Sequence, residues 1–388
     1  EKNYTPLTEN EGSAFITFYR SLPKKSQDVV RLFFKKDFYV VYEEDAELIA
    51  DEFYRSRTVI KTWDLAKKTA ASKAAKVLGP SYINLSQILT ETVVKTLINE
   101  KRVKVEIYSL GEDRKWFLWK KGSPGNVQQL EDLLYARSEV TDSPVMMSLA
   151  WTTSGGQRVV GAACCDALMK KISVSEFLDS ENYSNLESLL VQRSVKECYT
   201  APMDPKDKDC AKIAEILERC DVVHTVCKKS DFDATKSIEQ DLRTLLGTHY
   251  VNAHAELELK SAMSATAALI AGMELLSLDE NLGAFRLSRY DLRQFVRLDA
   301  AAVQALNLVP SSREGNQQYN LYGLLNRCKT SMGARKLQQW IKQPLISLEA
   351  IQRRHDIVEI FTADTSMLAE IRGTGLRGIS DIEKITKK

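Results

Sequence analysis

The chain has 388 residues, of which 44% are hydrophobic and 27% are charged. These values are typical of globular protein, and the length allows two to four domains, each with its own core. The longest apolar runs are shorter than the 18 residues that a membrane-spanning helix needs, so we expect no membrane partner. The first residues are polar, and we expect no signal peptide.

The distribution of charge is more informative than the net value of +2. Residues 1–125 carry 22 Lys and Arg against 17 Asp and Glu, which gives +5, and residues 126–250 carry 14 against 20, which gives −6. The remainder carries 18 against 15, which gives +3. Because phosphate is repelled by net negative surface, the middle segment is a poor candidate for DNA contact. An equally good interpretation of this charge distribution is that positive and negative side chains simply lie on solvent-exposed surfaces.

In the first segment, apolar alternation predicts strands at 29–34 and 38–42, with a lysine-rich turn between them. The acidic run that starts at Glu43 predicts a helix, since carboxylates stabilise the first turn. Further strands are predicted at 102–107 and 116–119. The sequence GSPGN at 122–126 predicts a loop and a domain boundary.

In the middle segment, single helices alternate with strands. The predicted strands and helices are strands 145–151 and 159–167, helix 185–193, strand 197–201, helix 208–220 and strand 221–226. Strands separated by single helices predict βαβ units and a partly parallel sheet. From about residue 252 the pattern becomes helical, with an irregular insert at 281–295. We therefore predict three domains, at 1–125, 126–250 and 251–388.

The segment after residue 325 predicts two packed helices. Thr330 is a candidate N-cap, and Pro344 ends the first helix because proline removes a backbone donor. Leu337, Trp340 and Ile341 form one apolar stripe at helical spacing. Ser347 is the candidate cap of the second helix, whose predicted inward-facing residues are Leu348, Ile351, Val358 and Phe361.

Cysteine and histidine give little support for a disulfide or metal framework. The seven cysteines include no C-x-x-C pair, and their odd number indicates a reducing compartment such as cytosol or nucleus. Cys220, His224 and Cys227 are weak candidate ligands, because the segment between them is typical of a strand and zinc usually binds two closely spaced pairs. We therefore expect no metal in this chain.

Residues 298–345 resemble the core of MutS-family DNA mismatch-repair proteins. The matching positions are Leu298-Asp299, Asn307-Leu308, Leu324-Leu325-Asn326, Cys328, Thr330, Met332-Gly333, Arg335, Trp340-Ile341 and Pro344-Leu345. The resemblance implies a multidomain α+β and α/β chain followed by an all-α part. Its components would be a small mixed-sheet domain, an RNase-H-like connector domain and a helical lever or core domain. The residues Asn326, Cys328, Thr330, Gly333, Arg335, Trp340 and Pro344 would be structural.

A second resemblance concerns residues 36–40. MutS subunits that read a mispaired base carry Gly-Asp-Phe-Tyr-Glu, whereas this chain has Lys-Asp-Phe-Tyr-Val, so Val40 stands where the reading glutamate would be. Valine has no acceptor, and the pattern most resembles the eukaryotic branch of the family called MutS homologue two. Candidate DNA contacts are Phe38, Tyr39, Lys35, Lys36, Arg55 and Arg57. For Phe38, an ordinary strand residue on the buried face is the alternative.

The resemblance implies a nuclear subunit that binds duplex DNA with mismatches or small loops as the non-reading arm of a heterodimer. Its partner would be a second MutS-family subunit with an intact Phe-x-Glu element. No G-x-x-x-x-G-K-[ST] motif occurs in the sequence, so we expect no enzyme and no cofactor in this chain. ATP and magnesium are expected only in the full-length parent, as a DNA-dependent ATPase.

Two other functions remain open at this point. A metal-dependent RNase-H-like nuclease would need carboxylates that converge on two metal ions, and Asp166, Glu197 and Asp221 are the available acids. The other alternative is a helical scaffold with no role in DNA binding.

Overall fold

A computed structural model describes residues 9–26, 28–64, 78–135, 143–233, 237–252, 254–310 and 319–382. By its internal contacts the chain divides into two compact units, Glu1–Arg137 and Ser138–Lys388. Among these described residues, no helix combines the length and the apolar character that crossing a bilayer requires.

The first unit contains one mixed six-stranded sheet. Its elements are α1 (Glu9–Ser21), β1 (Val29–Lys35), β2 (Phe38–Tyr42), α2 (Glu43–Ile49), β3 (Lys61–Asp64), β4 (Leu78–Ser86), α3 (Gln87–Asn99), β5 (Lys104–Leu110), β6 (Trp116–Gly122) and α4 (Glu131–Tyr135). The strand order is β3-β4-β2-β1-β5-β6, in which β1 and β5 are parallel and the other pairs antiparallel. The structure confirms the predicted strands and the acidic helix after Tyr42. Residues on both faces of β1 and β2 are buried.

The division between the units lies after Arg137 rather than at residue 125. The loop at 122–126 is a tight turn, with Ser123 paired to Asn126, and it keeps the chain within the first unit. Leu130 and Leu134 are buried there, and a Cβ added to Gly122 would lie 2.3 Å from Leu130 Cδ1. The glycine and proline of this loop therefore mark a turn within the first compact unit, and the domain boundary at 125 stays a prediction.

The second unit begins with another six-stranded sheet. Its elements are β7 (Val145–Ser154), β8 (Gln157–Asp166), β9 (Lys171–Asp179), α5 (Ser184–Arg193), β10 (Val195–Thr200), α6 (Lys208–Arg219), β11 (Val223–Val226), α7 (Ile238–Leu246), α8 (His254–Leu257), α9 (Lys260–Gly272) and β12 (Arg286–Arg289). The order is β11-β10-β7-β8-β9-β12. β7, β8 and β9 are antiparallel, whereas β10 and β11 extend the sheet in parallel from β7.

Helices cover both faces of this sheet. α7 and α9 pack in one hydrophobic cluster with Met146 and Cys165, and α5 and α6 pack in another with Met147 and Cys164. The predicted βαβ units and the RNase-H-like architecture are confirmed. Gly155 and Gly156 both have positive φ in the turn between β7 and β8, a conformation that glycine adopts without strain.

Two features of this unit depart from the sequence prediction. The helical run after residue 252 is divided into α8 and α9, and the insert at 281–295 contains β12, which pairs in parallel with β9. Both α9 and β12 therefore pack with the sheet, although the predicted boundary at 250 assigns them to the helical domain. The exact residues at which the domains begin and end remain predictions.

A close contact between β8 and α9 gives a stability prediction. A Cβ on Gly161 would lie 2.1 Å from the Ser261 carbonyl carbon and 2.4 Å from Ala262 N, so Gly161→Ala must push α9 away from the sheet. We expect this overpacking to lower the free energy of unfolding by about 3 kcal/mol or more in denaturant titrations. The control is Gly373→Ala, where no atom lies within 4 Å. Equal stability of the two variants would contradict the close approach.

The rest of the second unit is helical, as predicted. It comprises α10 (Ala300–Ala305), α11 (Leu321–Leu325), α12 (Ser331–Lys342), α13 (Leu348–Ala363) and α14 (Thr365–Glu370). The predicted caps are confirmed: Thr330 Oγ1 accepts from Gly333 N at 3.2 Å, and Ser347 Oγ accepts from Ala350 N at 3.3 Å. α12 ends at Lys342, two residues before Pro344.

The prediction that one apolar face of α13 points inward is wrong in the described structure. Leu348 is 77% exposed and Val358 is 59% exposed, and α13 has no buried residue among those described. Trp340 on α12 is 41% exposed as well. Helical periodicity identifies an apolar stripe, but it does not say whether another element covers that stripe.

Candidate nucleic-acid interface

The candidate DNA-contacting residues lie on the hairpin of β1 and β2. Lys35 pairs with Phe38 across the hairpin, and the two-residue turn is Lys36-Asp37, with φ of 51° at Lys36. This left-handed conformation matches the twist of a two-residue hairpin turn. The structure therefore places Lys36 at the exposed tip and Phe38 at the start of the returning strand.

Val40 lies in the interior of the first unit. Its exposed fraction is 1%, and it belongs to a cluster that also contains Phe15, Phe33 and Tyr42. The ring centroid of Phe15 on α1 lies 5.2 Å from that of Phe33 and 4.8 Å from that of Tyr42. The position that carries the reading glutamate in other subunits is therefore enclosed by aromatic side chains.

Phe38 and Tyr39 are also part of the packed sheet. Phe38 is half-buried and packs against the same aromatic cluster, which favours the alternative of an ordinary strand residue. Tyr39 is buried on the opposite face with its ring centroid 5.0 Å from that of Phe34, and burial raises its pKa. Neither side chain has the freely exposed position that a DNA wedge requires.

Helix α1 packs on the aromatic cluster that contains Val40, a contact that the sequence pattern did not indicate. Phe15, Phe18 and Tyr19 are spaced at i, i+3 and i+4, which places them on one face of α1. Phe15 is completely buried, and the ring centroid of Phe18 lies 5.8 Å from that of Tyr108. The spacing of these aromatic residues was visible in the sequence, but the sequence did not show which strands they pack against.

The four candidate cations differ in their surroundings. Lys35 is half-buried, with Nζ 5.7 Å from the Phe15 ring centroid, whereas Lys36 is exposed. Arg57 forms ion pairs with Asp51 at 2.7 Å and with Glu47 at 3.2 Å. Arg55 is exposed, and no ion pair joins it to a carboxylate among the residues that the structure describes. Lys36 and Arg55 are thus the better candidates for phosphate contact.

The three acids of the nuclease alternative do not converge. Met146 pairs with Cys165 on one side and with Glu197 on the other, so these side chains share one face of the sheet. Asp166 follows Cys165 and belongs to the opposite face, where its carboxylate accepts from Ser143 Oγ at 2.6 Å. Asp221 precedes β11. This arrangement does not form a two-metal carboxylate site.

The Cys220, His224 and Cys227 set does not form a metal cluster either. His224 Nε2 lies 2.7 Å from Thr200 Oγ1, and Cys220 lies at the C-terminal end of α6. In the described parts of the chain, no group of three or more His, Cys, Asp or Glu side chains has the geometry to hold a metal ion. His224 therefore has a structural hydrogen bond.

The His224 side chain is exposed, but partial desolvation of its ring predicts a small pH effect on stability. This desolvation lowers the pKa of His224 from 6.5, so the unfolded chain takes up a proton at a higher pH than the folded chain does. The stability that the neutral ring contributes is present above about pH 6.5 and is lost as pH falls through the folded pKa. Denaturant midpoints at about pH 7.5 and pH 5 should show a smaller loss in His224→Gln than in wild type. The exposed His355→Gln should behave as wild type; equal pH dependence in all three would refute the assignment.

The motif residues before, within and after α12 shape the backbone. Asn326 Oδ1 accepts from Cys328 N at 3.2 Å, and a Cβ on Gly333 would lie 3.1 Å from Thr330 Oγ1. The Pro344 carbonyl accepts from Val296 N at 2.8 Å, which links this segment to the insert after β12. These residues therefore shape the ends of helices.

Two arginines complete this motif region. Arg335 forms a two-pronged ion pair with Asp381, with nitrogen–oxygen distances of 2.6 and 3.0 Å, and both side chains are 11% exposed. The Arg354 guanidinium lies 3.8 Å from the Trp340 ring centroid and covers part of it. Arg335 thus connects α12 to a segment 46 residues further along the chain.

Comparisons with known proteins match almost the whole chain. The family models MutS domain I, MutS domain II and MutS domain III match residues 13–131, 144–286 and 301–388. The chain is 36% identical to the DNA mismatch repair protein msh-2 of Neurospora crassa, over 98% of this chain and 40% of that protein. It is 34% identical to MSH2 of Arabidopsis thaliana, over 100% and 40%, and 32% identical to MSH2 of Saccharomyces cerevisiae, over 100% and 41%. The chain spans about two fifths of the length of these relatives.

Proposed function

The chain belongs to the MutS family of DNA mismatch-repair proteins and is MSH2-like, and from this premise we propose that it is the non-reading arm of a MutS-type heterodimer. In this proposal it encloses duplex DNA with a mismatch or a small loop, while a second MutS-family subunit supplies the Phe-x-Glu element. The observation that carries the proposal is the burial of Val40 beneath Phe15.

The proposed contribution of this arm is contact with the phosphate backbone. Lys36 and Arg55 are exposed on the first unit, and cations of this kind bind phosphate without reading sequence. Without a polar group at position 40, the arm has no means to hydrogen-bond a mispaired base. Selectivity would then depend on the partner and on how easily the DNA bends at a mismatch.

The wider setting follows from the same proposal. A DNA-repair subunit of this kind would act in the nucleus, and the complex would couple DNA to ATP and magnesium. We assign neither ATP nor magnesium to these 388 residues, because the sequence offers no phosphate-binding loop of the G-x-x-x-x-G-K-[ST] type. The nuclease alternative is not favoured, since Asp166 and Glu197 lie on opposite faces of their sheet.

The proposal is tested by fluorescence anisotropy of the whole chain with matched homoduplex and heteroduplex DNA. We expect affinities within about threefold of each other, falling together as salt rises, because phosphate contacts release counterions. Lys36→Ala and Arg55→Ala should each lower the salt slope by about one. A tenfold preference for the heteroduplex, or absence of binding at low salt, would overturn the proposal.

Arg57→Ala is the matched control. Arg57 lies two residues from Arg55 and has the same charge, but its guanidinium is bound to Asp51 and Glu47. Its removal should change the salt slope less than the removal of Arg55. Equal effects would indicate that net charge alone, rather than these positions, determines binding.

A further inference from the structure

A cleft of about 650 Å³ lies within the second unit, between α12 and a wall formed by residues of β7, β8, β9 and the C-terminal end of α5. We propose that this cleft binds a compact group of phosphates. The inference is independent of mismatch binding, because the lining residues belong to neither β1 nor β2.

The lining of the cleft is strongly cationic. Lys171 of β9 and Arg193 of α5 contribute from one wall, and Arg335, Lys336 and Lys342 contribute from α12, whereas Asp166 is the one carboxylate among the described lining residues. The Arg193 guanidinium also donates to Ser173 Oγ at 3.2 Å. Asp166 pairs with Lys171 across the β8–β9 ladder and accepts from Met169 N at 2.8 Å and from Ser143 Oγ. Asp381 forms an ion pair with Arg335. The cationic side chains of the lining still outnumber these two carboxylates, and this excess favours an anion.

Two hydrogen bonds join the walls of the cleft. Lys342 is only 9% exposed, and its Nζ donates to Ser194 Oγ of the opposite wall at 2.7 Å. Gln343 Nε2 donates to the Gln192 carbonyl at 3.0 Å, and both of these glutamines are buried. These two hydrogen bonds therefore hold α12 against the end of α5, and cationic residues from both walls line one space, which is an arrangement suited to an anion with several oxygens.

The composition of the cleft selects the ligand class. Its volume is in the range of small-molecule sites, yet no aromatic ring is among its lining residues. A nucleobase would find no surface to stack on, whereas Gln338, Gln339 and Ser194 supply hydrogen-bonding groups beside the cations. Phosphate oxygens fit these donors. Their source is either a free anion such as pyrophosphate or the backbone of a nucleic-acid strand.

The test is isothermal titration of the whole chain with pyrophosphate at 0.15 M salt, where exposed charges are screened beyond about 8 Å. We expect saturable one-site binding with a Kd below about 1 mM, weakened at least about tenfold by Lys171→Glu and by Lys336→Glu, which change opposite walls. Both side chains are exposed, and the neutral Lys171→Gln and Lys336→Gln variants should show the same direction of effect.

A second titration uses a short single-stranded oligonucleotide, with and without pyrophosphate as competitor. If the oligonucleotide binds, both wall variants weaken its binding and pyrophosphate does not bind, the site is supported. The nucleic-acid backbone is then the source of the phosphates. Lys206→Glu, an exposed lysine outside the cleft, is the control for net charge. Saturable binding of neither ligand, or an equal loss in Lys206→Glu, would overturn the proposal.

Discussion

Val40→Glu is expected to destabilise the first unit instead of restoring mismatch reading. The side chain at position 40 is 1% exposed and lies in one cluster with Phe15, Phe33 and Tyr42, so a carboxylate there would be almost completely desolvated. Full burial raises the pKa of a glutamate by about 3–5 units, and each unit corresponds to about 1.4 kcal/mol. We therefore expect a loss of about 4 kcal/mol or more in the free energy of unfolding at pH 7.

The pH dependence separates this charge effect from a packing effect. A glutamate whose folded pKa is raised destabilises the protein above its unfolded pKa, and the cost decreases as pH falls towards about 4.3. Val40→Gln should lack this dependence, and the exposed Lys36→Glu should change stability by no more than about 0.5 kcal/mol. A Val40→Glu protein that melts as wild type and prefers heteroduplex DNA would show that position 40 is accessible, contrary to its burial here.

The sequence was sufficient for elements whose local pattern agrees with their tertiary surroundings. The β1–β2 hairpin was predictable because two apolar strands flank a short charged turn, and α12 was predictable because Thr330 and Pro344 mark its two ends. The βαβ order of the second sheet followed from alternation along the chain. In each case neighbouring residues carry the information that fixes the element.

The parts that could not be predicted depend on distant contacts. β12 has the sequence Arg-Leu-Ser-Arg, which lacks a strand pattern, and it becomes a strand only by pairing with β9 more than a hundred residues earlier. The burial of Val40 likewise depends on Phe15 from another element. The hairpin that carries the candidate contacts was therefore predictable, whereas the packing of α1 on it was not visible in the residues of the hairpin.

Arg335→Met is the other substitution with a large expected effect. It removes the guanidinium that faces Asp381 while leaving a carboxylate that is 11% exposed. Breaking a largely buried pair from one side costs about 3–5 kcal/mol, since the remaining charge loses its compensation. Because Asp381 lies beyond the last helix, we expect the loss to appear as local opening of the segment after Glu370, measured as faster amide hydrogen exchange at residues 371–382.

Three further variants distinguish the ion pair from simple loss of a side chain. Arg335→Lys keeps the charge but cannot form both hydrogen bonds, so protection should be intermediate. Arg335→Met combined with Asp381→Leu should recover most of the protection, because neither charge is then left alone. Arg354→Met, which removes a cation from the exposed Trp340 ring, should cost only about 0.5–1 kcal/mol. If exchange at 371–382 is unchanged in Arg335→Met, or if the double variant is no better than the single one, the pair does not hold this segment to α12.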